Sequence, residues 1–336
     1  MTSRERMLCA FEFVAPDKIP VVYHPSPAGL YTHGQRLLDL FNEYPPDNPV
    51  NFDSLPVPPA GTVDATGKYH EIRTDEWGTE WEHLIYGVWG HPKNYPFNSW
   101  DEGNAKYEFP PIPLQDKSMI AEQQKEYLVF SGWPSIFERL CALRPIDQTL
   151  MDILTEDPAL LRFLDRLVDY WLTAIDDIID AGADVVMFGD DWGTQTAPII
   201  PPALFRKIFL PRYAQMMAPL KAAGRKIFFH TCGYLDGTLD DLIGLGIDGL
   251  WPQIGFLERN PSLFDKCAQN KVALYLHSDR QYLIPRGTPE EIEASIKSYA
   301  EKYHALQGGA IFYVEIENDA PFENVKTLIE AIDRWR

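Results

Sequence analysis

Short apolar runs alternate along the chain with longer stretches in which apolar positions recur every three to four residues. The runs 19–24 (IPVVYH), 50–55 (VNFDSL), 127–132 (YLVFSG) and 183–190 (ADVVMFGD) have the length and residue content of buried strands. So do 226–231 (KIFFHT), 247–253 (IDGLWPQ), 272–278 (VALYLHS) and 309–317 (GAIFYVEIE). Helical patterns between them predict parallel strands joined by crossover helices. Eight such strands close a parallel barrel, so the expected fold is α/β, a (β/α)8 TIM barrel.

Two helices carry clear end signals. Asp157 before Pro158 places a capping side chain ahead of a proline at the first helical position. From there Leu160, Leu161, Leu164, Leu167, Val168, Trp171, Leu172 and Ile175 keep the spacing of one buried face, and Gly182 marks the end. Thr288 and Glu291 have the spacing of a capping box. Between the second and third strands lies a long segment, roughly 60–125, rich in aromatics, glycine and proline. It reads as a small antiparallel insertion near the barrel mouth. No repeat or low-complexity tract interrupts the pattern, so residues 1–336 are expected to form one elaborated domain.

Composition narrows the partners. With 336 residues, 45% of them hydrophobic, the chain can bury a large core. A net charge of −19 argues against nucleic acid or an anionic membrane surface as partner. The opening MTSRERMLCAF has no apolar core of a signal peptide and no run reaches bilayer length, which predicts a cytoplasmic protein. Four scattered cysteines (Cys9, Cys141, Cys232, Cys267) fit reduced thiols better than a disulfide framework.

The chemistry is sought where barrel enzymes keep it, at the C-terminal ends of the strands. Those ends carry His24, Ser131, Asp190, Asp191, His230, Cys232, Gln253, His277, Asp279, Glu315 and Glu317. His230 and Cys232 share one face of an extended chain and both are good zinc ligands. The competing reading is a hydrogen-bonded histidine beside an inert buried thiol. A zinc site needs a further ligand, for which Glu315, Glu317 and His277 are the candidates. Asp190 or Asp191 is expected to act as an acid or base, or to bind substrate, with capping accounting for one of them. Trp133 and Trp192 are expected to wall the site, with His24 and His277 as further substrate contacts.

The blocks TDEWGTEWE, GDDWGTQTAPIIPPALFRKIFLPRY, FFHTCG, RGTPEEI and PFENVKTLIEAI, in this order, resemble the uroporphyrinogen decarboxylase superfamily. The resemblance implies a (β/α)8 barrel. It also implies one of two activities: decarboxylation of a porphyrinogen, or zinc-dependent methyl transfer involving a corrinoid protein or a thiol. The decarboxylases bind their polycarboxylate with N-terminal arginines, whereas the first-strand loop here, YHPSPAGLYTHG (23–34), has none. The methyltransferases use a His-x-Cys pair, matched by His230 and Cys232, and a distant cysteine that falls here in YVEIEND (313–319), where no cysteine exists. Glu315 is expected in its place as metal ligand. Having fewer thiolates would leave zinc a stronger Lewis acid, suited to an oxygen leaving group. The expected activity is methyl transfer from a small methylated compound, such as a methoxylated aromatic, to a corrinoid (cobalamin) protein. The alternative is metal-independent decarboxylation of a small acid, with Arg280 as its cation. A homodimer is the expected assembly.

Overall fold

The computed structural model describes residues 1–50, 54–302 and 305–336. Ten strands are found among them: β1 (Val21–His24), β2 (Glu71–Thr74), β3 (Glu80–His83), β4 (His91–Asn94), β5 (Phe130–Ser131), β6 (Val185–Gly189), β7 (Lys226–Thr231), β8 (Gly249–Pro252), β9 (Ala273–Leu276) and β10 (Ala310–Glu315). Seven of them form one parallel sheet in the order β1-β10-β9-β8-β7-β6-β5. The strand expected at 50–55 falls largely on residues 51–53, outside the described residues. β2, β3 and β4 form a separate antiparallel sheet whose β3–β4 register slips at Glu80/Trp81.

Strict alternation along the parallel strands builds two cores. Ile227 and Phe229 of β7, Phe312 and Val314 of β10, and Val186 and Phe188 of β6 face the helices. Val185, Phe228, Tyr275, Ile311 and Tyr313 face the other way, into an inner cluster. That inner face is concave. Flat neighbouring strands lie about 4.8 Å apart, so strands two positions removed lie about 9.6 Å apart. Yet Phe228 of β7 and Tyr275 of β9 have ring centroids 4.4 Å apart, as do Trp251 of β8 and Tyr313 of β10. The sheet is therefore a curled half-barrel of α/β type.

The floor of this half-barrel, at the N-terminal ends of the strands, is stopped by the helix Ser3–Glu12. Met7, Ala10 and Phe11 of this helix belong to the inner cluster, and Phe11 packs edge-on to Phe228 with ring centroids 6.0 Å apart. Arg4 clamps it with a two-pronged pair to Asp184 just before β6, each N–O distance 2.7 Å. The long helix Pro158–Ala181 packs outside, held at its start by Asp157 Oδ1, which accepts from the Ala159 N–H (2.8 Å), and ended by left-handed Gly182. No helix among the described residues is long and apolar enough to cross a membrane.

Candidate metal centre at the open end of the sheet

His230 is the fifth residue of β7, on the inner face with Phe228, and Cys232 follows just beyond the strand end. In register, His230 lies between Gly189 of β6 and Trp251 of β8. The missing side chain at Gly189 has a use: a Cβ there would fall 2.1 Å from Trp133 Cζ2. Trp133 thus lies flat against the strand end, its ring 5.7 Å from that of His230.

The loops after β6 and β7 are pressed backbone to backbone. A Cβ on Gly233 would lie 2.1 Å from the Gly193 carbonyl oxygen, and one on Gly193 would lie 2.1 Å from the Tyr234 nitrogen. Gly233 also has φ +80°, a left-handed conformation that glycine adopts without strain. This close approach lets the Tyr234 N–H donate to Thr194 O (2.8 Å) and the Cys232 N–H donate to Asp191 Oδ1 (2.7 Å).

The result is a convergence of three donor atoms. One ligand atom each from Asp191, His230 and Cys232 lies within 4.8 Å of the others. His230 Nε2 is 3.5 Å from Cys232 Sγ and 3.4 Å from Asp191 Oδ1. His230 Nδ1 is 3.1 Å from the Trp251 carbonyl oxygen, which can only accept, so Nδ1 carries the proton and Nε2 turns a lone pair toward the sulfur and the carboxylate. Burial pulls His230 down to about 4, against the pull of Asp191 in the other direction. Burial and the Asp191 charge push the Cys232 thiol up to about 12. A neutral imidazole lone pair, a carboxylate and a sulfur facing one point fit a bound cation and leave room for a fourth, exchangeable ligand.

The two aspartates divide along the strand alternation. Asp190 is fully buried on the helix side and accepts from Ser135 Oγ (2.8 Å), the Ile136 N–H (2.8 Å), the Glu138 N–H (2.7 Å) and the Tyr213 hydroxyl (2.5 Å). It pins the start of the helix Phe137–Leu143 and has no face toward the open end; burial pushes its carboxyl up to about 6 against these four donors. Asp191 takes the inner side. Trp192 is 1% exposed, stacked on Phe137 (4.7 Å) and packed among Phe205, Phe209 and Tyr213, so it builds the helical shell. Trp133, at 39% exposure, faces the site, as does Trp251, whose ring lies 4.1 Å from that of His230.

Glu315 ends β10 beside His24 of β1, lies outside the three-atom group among the described residues, and is ion-paired with Arg280. His24 Nε2 is 4.0 Å from Glu315 Oε1. Glu317 accepts from Ser26 Oγ (3.1 Å). His277 is buried, its Nε2 3.0 Å from Pro252 O and its Nδ1 3.1 Å from Ser278 O; the neutral ring donates its single N–H to one of these carbonyls. Asp279 accepts from the Gln281 and Tyr282 N–H groups and shapes a turn. Glu138 escaped the sequence reading. Its side chain is open to solvent yet deeply surrounded, and burial with the charges of Asp190 and Asp191 pushes it up to about 8. Its one sequence signal, Ser135 three positions earlier, marks a helix start and says nothing of the site.

The family model of uroporphyrinogen decarboxylase (URO-D) matches residues 119–335. A search of curated protein sequences returns no match. Among solved structures, a methyltransferase from Methanosarcina mazei aligns over 99% of both chains at 18% identity with a TM-score of 0.61, a similarity of fold. A B12-independent methionine synthase from Shewanella sp. W3-18-1 aligns over 81% of this chain and 74% of its own at 10% identity, TM-score 0.41. A dihydropteroate synthase from Xanthomonas albilineans aligns over 48% of this chain and 58% of its own at 13% identity, TM-score 0.34. The model match spans well over half of the chain and contains the strands that carry Asp191, His230 and Cys232, and the chain belongs to the uroporphyrinogen decarboxylase (URO-D) family.

Proposed function

We propose that this chain is a zinc-dependent methyltransferase built on a full (β/α)8 barrel. It would take a methyl group from a small methylated compound, of which a methoxylated aromatic fits best, and pass it to a corrinoid protein. The observation that carries this is the convergence of Asp191, His230 and Cys232 at the open end of the sheet. The fold similarity to a structure described as a methyltransferase supports it.

Zinc held there would act as a Lewis acid on the leaving oxygen of the methyl donor, which is otherwise a poor leaving group. His230 offers Nε2 because the Trp251 carbonyl holds its other nitrogen, an arrangement that fixes ring direction as well as tautomer. Cys232 offers its sulfur, and its N–H holds Asp191 in place. We assign Asp191 as third ligand and keep Glu315, held in reserve by Arg280, as the residue that would replace it. Trp133 supplies a flat wall beside the reacting group, and His24 lies at the rim. The decarboxylase alternative loses ground because the charge of Arg280 is matched by Glu315. We place the protein in the cytoplasm, as a homodimer.

The test is zinc content and affinity by competition with a chromogenic chelator, together with methyl transfer from 2-methoxyphenol to free cob(I)alamin, followed by absorbance. Wild type should hold about one zinc per chain. His230→Ala and Cys232→Ser should lose zinc and transfer together. Loss in Asp191→Asn with retention in Glu315→Gln assigns the third ligand to Asp191; the reverse assigns it to Glu315. A wild-type protein that stays empty when zinc is supplied would sink the reading.

A further inference from the structure

Outside the open end of the sheet, a cavity of about 400 Å³ lies between the end of β5, the helix Pro158–Ala181 and the proline-rich run 110–113. That is room for a small ring compound. Its walls include Trp77, Trp133, Tyr170 and Trp171, and the charged side chains lining it are Arg139 and Glu76.

Arg139 is the informative residue. Its guanidinium stacks 4.1 Å above the Trp77 ring, and its side chain is only 22% exposed. The nearby acid is a poor partner: Asp75 Oδ2 is 3.9 Å from Nη1. The Asp75 oxygens already accept from the Trp77 N–H (3.0 Å), the Thr79 N–H (2.9 Å) and Trp81 Nε1 (2.9 Å). Arg139 Nε is buried without a hydrogen-bond partner, and no nitrogen of this guanidinium makes a hydrogen bond among the described residues. Leaving the buried Nε–H unpaired is costly, and the Nη nitrogens, which keep accessible surface, have N–H groups free to donate. Burial pulls this group below its ordinary value, with Asp75 and Glu76 opposing.

We propose that this cavity is a second binding site, for a planar organic monocarboxylate. The two Nη nitrogens of Arg139 take the carboxylate in a two-pronged pair, and the tryptophan and tyrosine rings take the flat body. Glu76 disfavours a second negative charge on the ligand and suits a hydroxyl or amino substituent instead. The site adjoins the metal candidate through Trp133, which lines the cavity and lies beside His230. The proposal does not depend on the methyl-transfer reading.

The probe is benzoate, with benzamide as its neutral isostere, titrated into the full-length protein by calorimetry and by tryptophan fluorescence. Wild type should bind benzoate saturably and benzamide at least tenfold more weakly, a comparison that needs no variant. Arg139→Gln should weaken benzoate binding roughly ten- to hundredfold, the range expected for charge-assisted hydrogen bonds, while His230→Ala leaves it unchanged. Equal affinity for the two probes, or no saturable binding at about 10 mM benzoate, well above millimolar affinity, overturns the proposal. So does loss of benzoate binding in His230→Ala, which would put the carboxylate at the metal candidate instead.

Discussion

Replacing Gly233 by alanine probes the contact that assembles the site, and its cost can be worked out in parts. An alanine at φ +80° carries the left-handed penalty of about 1–2 kcal/mol. Its Cβ would also sit 2.1 Å from the Gly193 carbonyl oxygen, backbone against backbone, so the two loops must separate. Separation lengthens the Tyr234–Thr194 bond, worth about 1 kcal/mol, and the charge-assisted Cys232–Asp191 bond, worth about 1.5–3 kcal/mol. The total is about 4–6 kcal/mol. A chain of 336 residues has an unfolding entropy near 0.7 kcal/mol per kelvin, so the melting temperature should fall by about 6–9 °C. Gly224 supplies the control, with φ +66° and nothing within 4 Å of an added Cβ. Gly224→Ala should show the conformational penalty alone, a loss of about 1–3 °C. The assay is calorimetric melting of both variants beside wild type, with zinc affinity measured on the same samples. Equal melting shifts for the two variants, or unchanged zinc affinity in Gly233→Ala, would refute the argument that this contact builds the site.

Asp190→Ala should cost about 3–5 kcal/mol in urea unfolding, because it leaves three buried hydroxyl or amide donors and the Glu138 N–H without an acceptor; Asp190→Asn should cost less. Phe228→Ala should cost about 3–5 kcal/mol by the same measurement, since it empties the inner cluster beneath Tyr275. His277, pulled down to about 4 by burial and Arg280, stays neutral in the folded protein while the unfolded chain takes up its proton. Its contribution is therefore complete above about pH 6.5 and is lost as pH falls toward 4. Between pH 7 and pH 5 wild type should lose about 2 kcal/mol more than His277→Gln, a difference in which the shared carboxylates cancel; equal losses would exclude this role.

The parts of this structure that depend on local pattern were legible from residues alone. The helix Pro158–Ala181 runs between the Asp157 cap and Gly182, as the spacing implies, because both signals act within one turn of chain. The capping box at Thr288 forms for the same reason. The joint position of His230 and Cys232 followed from strand alternation. Alternation also separates Asp190 from Asp191, but only once it is known that Val186 and Phe188 face the helices, and both faces of a buried strand read alike in apolar content. The pairing of Glu315 with Arg280 was out of reach, since it joins the ends of two strands through side-chain reach that no spacing encodes. Trp192 and Trp133 look equivalent in sequence. Only the helix carrying Phe205 and Phe209 decides that Trp192 is enclosed.

The helix that stops the floor of the half-barrel has a consequence for the order of assembly. It comprises residues 3–12 and is synthesised before every one of its anchors, which are spread along the chain. The Arg4 N–H donates to Glu126 O (2.8 Å) and its side chain clamps Asp184. The Gly309 N–H donates to Ala10 O (2.8 Å), and Asp47, which Arg6 holds at 2.5 Å, is shared with Arg336 at 3.3 Å. Closing such loops is slow, and none of the distant anchors exists until its strand is made. This helix is thus seated only after the later residues that anchor it are made, and until then the aromatic inner face is open from below, the interval in which a nascent chain is most exposed to association with its neighbours.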